Sequence, residues 1–285
     1  MSQPYHRNRG FVAFFCGNGY HCREMSIHPV YRTATVLEAT EEGRDYLDLL
    51  LREPEISQIA GPGQFLMIRA WPGVDPMLPR PFDIMQSDPR EQTLRLFVKV
   101  EGRGTALLKS LKPGAEVKIT GPLGRPVEDF SYSSLAFLVR GAGAAAVVHL
   151  AEAANARGIV VYTILSASAA SRIVCRKYLE PASAELLIGT DDGSEGYEGL
   201  ASDLLDDLLR RKTVDRVYTC GSRRFARHVQ RLDREGRIKG FVFLEGLMAC
   251  GVGDCHGCAV PKNGQEGYFL VCRDGPHFPI AEVAL

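Results

Sequence analysis

Four cysteines near the C-terminus, Cys250, Cys255, Cys258 and Cys272, stand in the spacing C-x4-C-x2-C with a distant fourth member. That is the plant-type arrangement of thiolates around a [2Fe–2S] cluster. Gly251, Gly253 and Gly257 interleave with the cysteines. They permit the tight backbone curvature a rhombic cluster demands and let N–H groups approach the sulfurs. Such contacts favour the more negative, reduced state and raise the potential. The competing chemistry is a structural zinc site of four thiolates. Zinc ribbons usually pair two C-x2-C knuckles, whereas here one C-x2-C meets an x4 arm, so iron–sulfur is the expected occupant. A Rieske centre would need two histidine ligands, and His256 beside Cys255 does not meet that requirement. A cluster needs an electron donor and an acceptor, so the pattern points to a redox relay.

A second constellation runs Arg80-Pro81-Phe82-Asp83, then Phe97-Val98-Lys99, then Gly104-Thr105. The planar fork of Arg80 suits a pyrophosphate, and Pro81 stiffens the strand that presents it. Gly104-Thr105 precedes Ala106–Lys109, which reads as a helix whose first N–H groups face a phosphate. Each feature alone is equally a solvated charge or a turn. Their order, followed by Gly121-Pro122-Leu123-Gly124, strengthens the signal. Further on, Gly141-x-Gly143-x-x-Ala146 after a strand is a dinucleotide-type turn, with Gly141 and Gly143 as candidate NAD contacts. No acidic residue follows about 20 positions later to hold a ribose, and close helix–strand packing is the alternative reading. No constellation for acid–base or nucleophilic catalysis is present, so no catalytic residue is assigned.

The elements that must position these groups fall into three zones. Residues 29–130 hold short β-branched runs (Tyr31–Leu37, Gln64–Ala70, Thr93–Val100 and Ala115–Thr120) broken by Gly61-Pro62-Gly63 and Pro113-Gly114. This predicts a small antiparallel β-barrel. Residues 131–239 alternate strands (Leu135–Val139, Ile159–Leu165, Glu185–Ile188, Arg216–Cys220) with helices (Ala144–Arg157, and Ser202–Arg211 with Ser202 as N-cap). That alternation predicts a doubly wound parallel sheet. Residues 240–285, rich in Gly and Cys, are too few for a core of their own and are expected to fold around the cluster.

Bulk properties narrow the partners. Lys+Arg and Asp+Glu both number 34 in 285 residues, so net charge gives no case for nucleic acid or an anionic membrane. No apolar run approaches the roughly 18 residues of a membrane span. The cysteine usage is that of a cytoplasmic protein: Cys175 and Cys220 are scattered and the quartet is clustered. Cys16 and Cys22, with His6 and His21, are a possible metal set but read as incidental thiols. The run Phe11–Cys16 is shorter than a signal-peptide core. Residues 1–28 read as an N-terminal extension, with disorder and a natural start at Met25 both consistent with it.

Barrel, Arg-Pro motif, Gly-Thr motif, α/β zone and C-terminal cluster, in this order, resemble the ferredoxin-reductase superfamily. More narrowly, the chain is similar to electron-transfer subunits of the NAD-linked, class 1B dihydroorotate dehydrogenases. The similarity is tightest at Glu245-x-x-Met248-Ala249-Cys250-Gly251-x-Gly253-x-Cys255-x-Gly257-Cys258, at Cys272-x-Asp274-Gly275-Pro276 and at Thr190-Asp191-Asp192-Gly193-Ser194-x-Gly196. The resemblance implies FAD at Arg80–Asp83, Phe97–Lys99, Gly104 and Thr105, with [2Fe–2S] on the four cysteines. It also implies an FMN-containing catalytic partner in a heterotetramer, with NAD+ as the terminal acceptor. The base that deprotonates dihydroorotate would then reside on the partner.

The chain also departs from that pattern. Arg140 stands for a glycine and Ala146 for a proline in the family's Gly-Gly-x-Gly-x-Ala-Pro loop. Ser166-Ala167-Ser168 replaces a Gly-x-Arg, and Cys220-Gly221-Ser222 a Cys-Gly-Pro. Asp83 occupies a position where Ser or Thr is common; an ionised carboxylate there opposes flavin reduction unless it points away. His277 reads as a surface histidine or as a group tuning the cluster. Two alternatives stay open: a related reductase subunit of a hydrogenase or sulfide dehydrogenase, and a non-enzymatic assembly or regulatory protein.

Overall fold

The computed structural model describes residues 29–43 and 45–285. The readings on His6, Cys16, His21, Cys22 and Met25 lie outside them.

The first sheet comprises β1 (Val30–Glu42), β2 (Tyr46–Arg52), β3 (Phe65–Arg69), β4 (Arg80–Asp83), β5 (Gln86–Asp88), β6 (Thr93–Lys99) and β7 (Glu116–Leu123). It is antiparallel, in the order β4-β3-β7-β1-β2-β6-β5, and curls into a half-barrel. Short helices α1 (Pro54–Ile59) and α2 (Arg103–Lys109) fill its connections. The sequence reading missed β2. Its Tyr-Leu-Asp-Leu-Leu-Leu-Arg run lacks a clean period of two, because it is a central strand flanked by β1 and β6.

The second unit runs β8 (Ser134–Arg140), α3 (Ala145–Asn155), β9 (Val160–Ala167), α4 (Arg176–Leu179), β10 (Glu185–Thr190), β11 (Tyr197–Glu198), α5 (Ala201–Arg211), β12 (Arg216–Cys220), α6 (Arg223–Arg234) and β13 (Lys239–Phe243). These strands are parallel, in the order β11-β10-β9-β8-β12-β13. Chain direction along the sheet reverses at β8, so β8 and β12 flank a topological switch point. Ser202 is not the N-cap of α5. The cap is Leu200, and Ser202 is buried inside the first turn. Asp203 in that turn supplies the favourable negative charge instead.

The C-terminal segment forms a small hairpin of β14 (Ala259–Pro261) and β15 (Tyr268–Leu270), a turn of helix α7 (Val271–Asp274) and β16 (His277–Pro279). Strand β16 pairs antiparallel with β13 and closes that edge of the parallel sheet. The boundary expected at 239/240 therefore falls at the start of β13. One apolar cluster joins Val217, Phe225 and Val229 of the α/β unit to Phe65, Met67 and Leu123 of the half-barrel and to Cys258 and Cys272. The three zones share core.

A polar junction ties the half-barrel to the α/β unit. Asp48 on β2, 2% exposed, accepts from Arg95 at 2.7 Å and from Tyr178 of α4, and pairs with Lys177 at 3.2 Å. Lys177 also reaches Glu42, and Gln86 on β5 donates to Glu152 on α3.

Two half-buried histidines make stability pH-dependent. His149 on α3 and His277 on β16 have buried Nδ1 atoms without a partner among the described residues. His277 is thus not a surface residue; it packs against Phe243 at 5.9 Å. Burial lowers both imidazoles from about 6.5 to about 4, with Arg125 adding to the effect at His277. The unfolded chain binds these protons near pH 6.5 and the native chain does not. The stabilisation is therefore complete above that pH and drains as pH falls towards 4, by at most about 3 kcal/mol for each group. A His149→Gln/His277→Phe double variant should show a shallower fall in urea-unfolding free energy between pH 6.5 and 4. An unchanged slope would refute this origin.

Candidate functional site

A cleft of about 590 Å³ opens where the half-barrel, the α/β unit and the cluster-bearing segment meet, within the size range of cofactor sites. Strand β4 forms one wall. It is an edge strand, so Pro81 costs no ladder hydrogen bond. Arg80 donates to the carbonyls of Leu78 at 2.6 Å and Pro79 at 3.3 Å, and its guanidinium lies 5.8 Å from the Trp71 ring centroid. A Cβ on Gly104 would come within 3.1 Å of Arg80 Nε and 3.2 Å of Trp71. Gly104 therefore stands behind Arg80, letting α2 approach it, and does not line the cleft. Helix α2 begins at Arg103, earlier than the sequence suggests. The reason is Thr105: its Oγ1 accepts from the N–H groups of Glu101 and Gly102, each at 3.0 Å. Thr105 itself lines the cleft, while the Glu101 and Gly102 N–H groups are taken by its hydroxyl as the helix cap.

On β6 the alternation of side chains divides the triplet. Phe97 and Lys99 line the cleft, whereas Val98 is fully buried in the half-barrel core. Phe97 stacks on Tyr46, ring centroids 5.4 Å apart. Lys99 pairs with Glu101, whose hydrogen bond raises the ammonium pKa. Asp83 lines the cleft, as does Glu245. Burial raises the Asp83 carboxyl to about 7, and the Glu245 carboxylate pushes the same way. The carboxylate expected to be ionised is therefore divided between its two protonation states at neutral pH.

Gly141, Ala142 and Gly143 contribute from the α/β side, with Gly221 beside them. A Cβ on Gly143 would fall 2.7 Å from Gly221 N, and one on Gly221, at φ +81°, 2.2 Å from the Arg140 carbonyl. Backbone meets backbone at the switch point, which only glycine allows. The remaining wall is Leu244, Glu245, Gly246 and Met248, the root of the cysteine loop. The sequence reading gave no role to Tyr46, Trp71 or Glu245. Tyr46 lies in the unrecognised β2 and Trp71 sits in no motif; Glu245 fell inside the cysteine motif with only its spacing noted.

The cysteines fit a binuclear cluster. Cys258 Sγ lies 3.3 Å from Cys272 Sγ, and Cys250 Sγ accepts from Cys255 N at 3.5 Å and Val252 N at 3.4 Å. Cys255 and Cys258 sulfurs each receive a further N–H, from Gly257 and Cys272, at 3.5 Å. Against the opposing effect of burial, the donated N–H groups bring Cys250 down to about 7. Burial, then Cys258, pushes Cys272 up to about 12. Among the described residues no three His, Cys, Asp or Glu side chains converge on one ion. Four cysteines, with two sulfurs adjacent and backbone N–H groups aimed at three of the four, make a donor set that fits a [2Fe–2S] cluster. A Cβ on Gly251 would lie 2.7 Å from Met67 Cγ and 3.1 Å from Leu123 Cδ1, so the cysteine loop rests directly on β3 and β7 of the half-barrel.

Comparison with known proteins agrees with this architecture. The family model "Iron-sulfur cluster binding domain of dihydroorotate dehydrogenase B" matches residues 245–284, and "Oxidoreductase FAD-binding domain" matches residues 33–127. The "Dihydroorotate dehydrogenase B (NAD(+)), electron transfer subunit" of Desulforamulus reducens is 35% identical over 235 residues, covering 81% of this chain and 89% of that protein. Its counterpart in Bacillus caldolyticus is 32% identical over 242 residues, covering 84% and 92%. Among solved structures, one of the NADH-dependent reduced ferredoxin-NADP oxidoreductase superposes with a TM-score of 0.80 at 29% identity, covering 88% of this chain and 89% of that one. The ferredoxin reductase of carbazole 1,9a-dioxygenase shares the fold, with a TM-score of 0.61 at 20% identity over 75% of this chain and 70% of that one.

Proposed function

This chain belongs to the family of electron-transfer subunits of NAD-linked dihydroorotate dehydrogenase B, and from that membership we propose that it carries electrons between a catalytic partner and NAD+. The partner is proposed to contain FMN, to hold the base for dihydroorotate, and to assemble with this chain as a heterotetramer in the cytoplasm. The two cysteines outside the cluster set among the described residues, Cys175 and Cys220, are both free and buried, in keeping with that compartment. No helix among the described residues is long and apolar enough to cross a membrane.

One observation carries the reading. A single cleft is walled by the β4 edge, the Gly141–Gly143 turn and the root of the cysteine loop. FAD, when bound, supplies the junction between two-electron exchange with nicotinamide and one-electron exchange with the cluster. Arg80 would hold its pyrophosphate, and Phe97 with Tyr46 offers a flat apolar face. Pro81, Phe82, Asp83 and Lys99 complete that wall, while Gly141 and Gly143 admit the nucleotide. Cys250, Cys255, Cys258 and Cys272 would hold the cluster, with Phe65, Met67 and Leu123 as a dry apolar layer beside it. The working units are proposed as residues 29–130 for FAD, 131–239 for NAD and 240–285 for the cluster.

Asp83 tunes the flavin in this reading. Asp83→Ser should raise the FAD midpoint potential, by more at pH 8.5, where the native carboxyl is ionised, than at pH 6, where it is mostly protonated. Redox titration at both values checks this; a pH-independent difference, or none, would refute it.

A second reading, a reductase subunit of a different oxidoreductase, is favoured by Arg140 in the nucleotide loop and by the likeness to the ferredoxin-NADP oxidoreductase chain. Affinity purification of the chain from its own cells separates the two. An FMN-containing partner that lets dihydroorotate reduce the FAD supports the first, and a different catalytic subunit the second. The non-enzymatic reading gives way to membership in an oxidoreductase family.

A further inference from the structure

Arg140 leaves the end of β8 where the family pattern has glycine, and its side chain runs across the carboxyl ends of three adjacent strands. Its Nη1 donates to Ser166 Oγ, at the end of β9, at 2.9 Å and to Asp191 Oδ1, just beyond β10, at 3.1 Å. Its Nη2 donates to Asp191 Oδ2 at 2.5 Å. The guanidinium is thus fixed in the two-pronged geometry it would use towards a phosphate. Among the described residues, Nε–H and one Nη2–H have no partner, so donor capacity remains.

The placement of this group is more informative than the pair itself, since a partly exposed ion pair adds little to stability. A second cavity of about 490 Å³ lies beyond the cleft, walled by Leu200, Ala201, Arg224 and Phe225. Arg140 is the one residue that lines both cavities. A pyridine dinucleotide has the matching form: two nucleosides joined by a dianionic pyrophosphate. Beside Arg140 the chain turns through Gly141, at φ +53°, into the first turn of α3. That is the switch-point position at which doubly wound sheets receive a pyrophosphate.

We propose that Arg140 binds the pyrophosphate of the pyridine dinucleotide, and that Asp191 holds its guanidinium in place until a phosphate displaces the carboxylate. The nicotinamide half then occupies the cleft and the adenosine half the second cavity. This rests on the NAD-linked reading above. It assigns to a side chain a task that a glycine at this position would leave to the backbone. It also makes the acidic residue a competitor of the ligand.

The test is calorimetric titration of NAD+ into the oxidised, cofactor-loaded protein, in which no electron transfer can occur. Arg140→Gly should weaken binding roughly 10- to 100-fold, the scale of a lost bidentate charge-assisted contact. Arg140→Lys, which keeps the charge without the fork, should fall between. Asp191→Asn should tighten binding about 3- to 10-fold, and should do nothing when Arg140 is already glycine. Flavin absorbance of each variant confirms its fold. If the native protein binds NAD+ and Arg140→Gly binds as well or better, the proposal is overturned while the NAD-linked reading stands. If Asp191→Asn leaves affinity unchanged, the displacement by phosphate is overturned. A native protein that binds no NAD+ at millimolar concentration overturns the NAD-linked reading, and this proposal with it.

Discussion

Cys258→Ser is expected to remove the cluster and to cut electron transfer to the catalytic partner by on the order of a hundredfold or more. Cys258 is 4% exposed, its sulfur lies 3.3 Å from that of Cys272, and it is packed with Leu270, Val271 and Phe278. Serine offers a poorer iron ligand at that buried point and leaves Cys272 unpaired. The segment depends on its metal for more than chemistry. Between Leu244 and Val271 the only regular structure is the short β14–β15 hairpin, so ligand binding must supply much of its folding energy. Limited proteolysis should therefore cut the variant between residues 250 and 268 while the half-barrel survives. NADH oxidation by a dye that takes electrons from the flavin should stay within about twofold of native. Full iron content in the variant, or equal loss of both activities, would refute this division of labour.

Asp48→Ala should cost roughly 3 kcal/mol, the scale for breaking a buried ion pair by removing one partner. Arg95, Lys177 and Tyr178 all direct donors at this one carboxylate. Burial and Asp48 together raise the Tyr178 phenol to about 12, so that hydroxyl is a donor at any working pH. Removing the acceptor leaves the Arg95 guanidinium and the Tyr178 hydroxyl facing each other at the junction of the two units. The thermal midpoint should fall by about 5–10 °C, and FAD should be released more readily because the cleft lies between the units so joined. Asp48→Asn, which keeps an acceptor but not the charge, should recover part of the loss. Differential scanning calorimetry and the fluorescence of released flavin read the two effects. An unchanged midpoint would show that the units are held by apolar contact alone.

The parts of the site readable in the sequence are those where chemistry restricts residue type. Cysteine spacing, the Arg80-Pro81 pair at a sheet edge and the glycine turn after β8 each permit few alternatives. What stayed hidden depends on direction and on neighbours remote in sequence. Val98 belongs to a cofactor-type triplet, yet the pleat turns it into the core. Thr105 does line the cleft, but that its hydroxyl also caps α2 by accepting from Glu101 and Gly102 is not visible in the motif. Tyr46 lies in a strand with no periodic signature and enters the site only because β2 pairs with β6. His277 reads as exposed until β16 is seen to close the parallel sheet. Arg140 is visible as a departure from pattern, but its tie to Asp191, 51 residues away, appears only when β8, β9 and β10 lie side by side.

Anaerobic titration of the purified chain with NADH, followed at the flavin and cluster absorption bands and by electron paramagnetic resonance, tests the relay most directly. The expected result is bleaching of the flavin together with the resonance of a reduced [2Fe–2S] cluster, both reached with NADH alone. A chain that dithionite reduces fully but NADH leaves oxidised would contradict it.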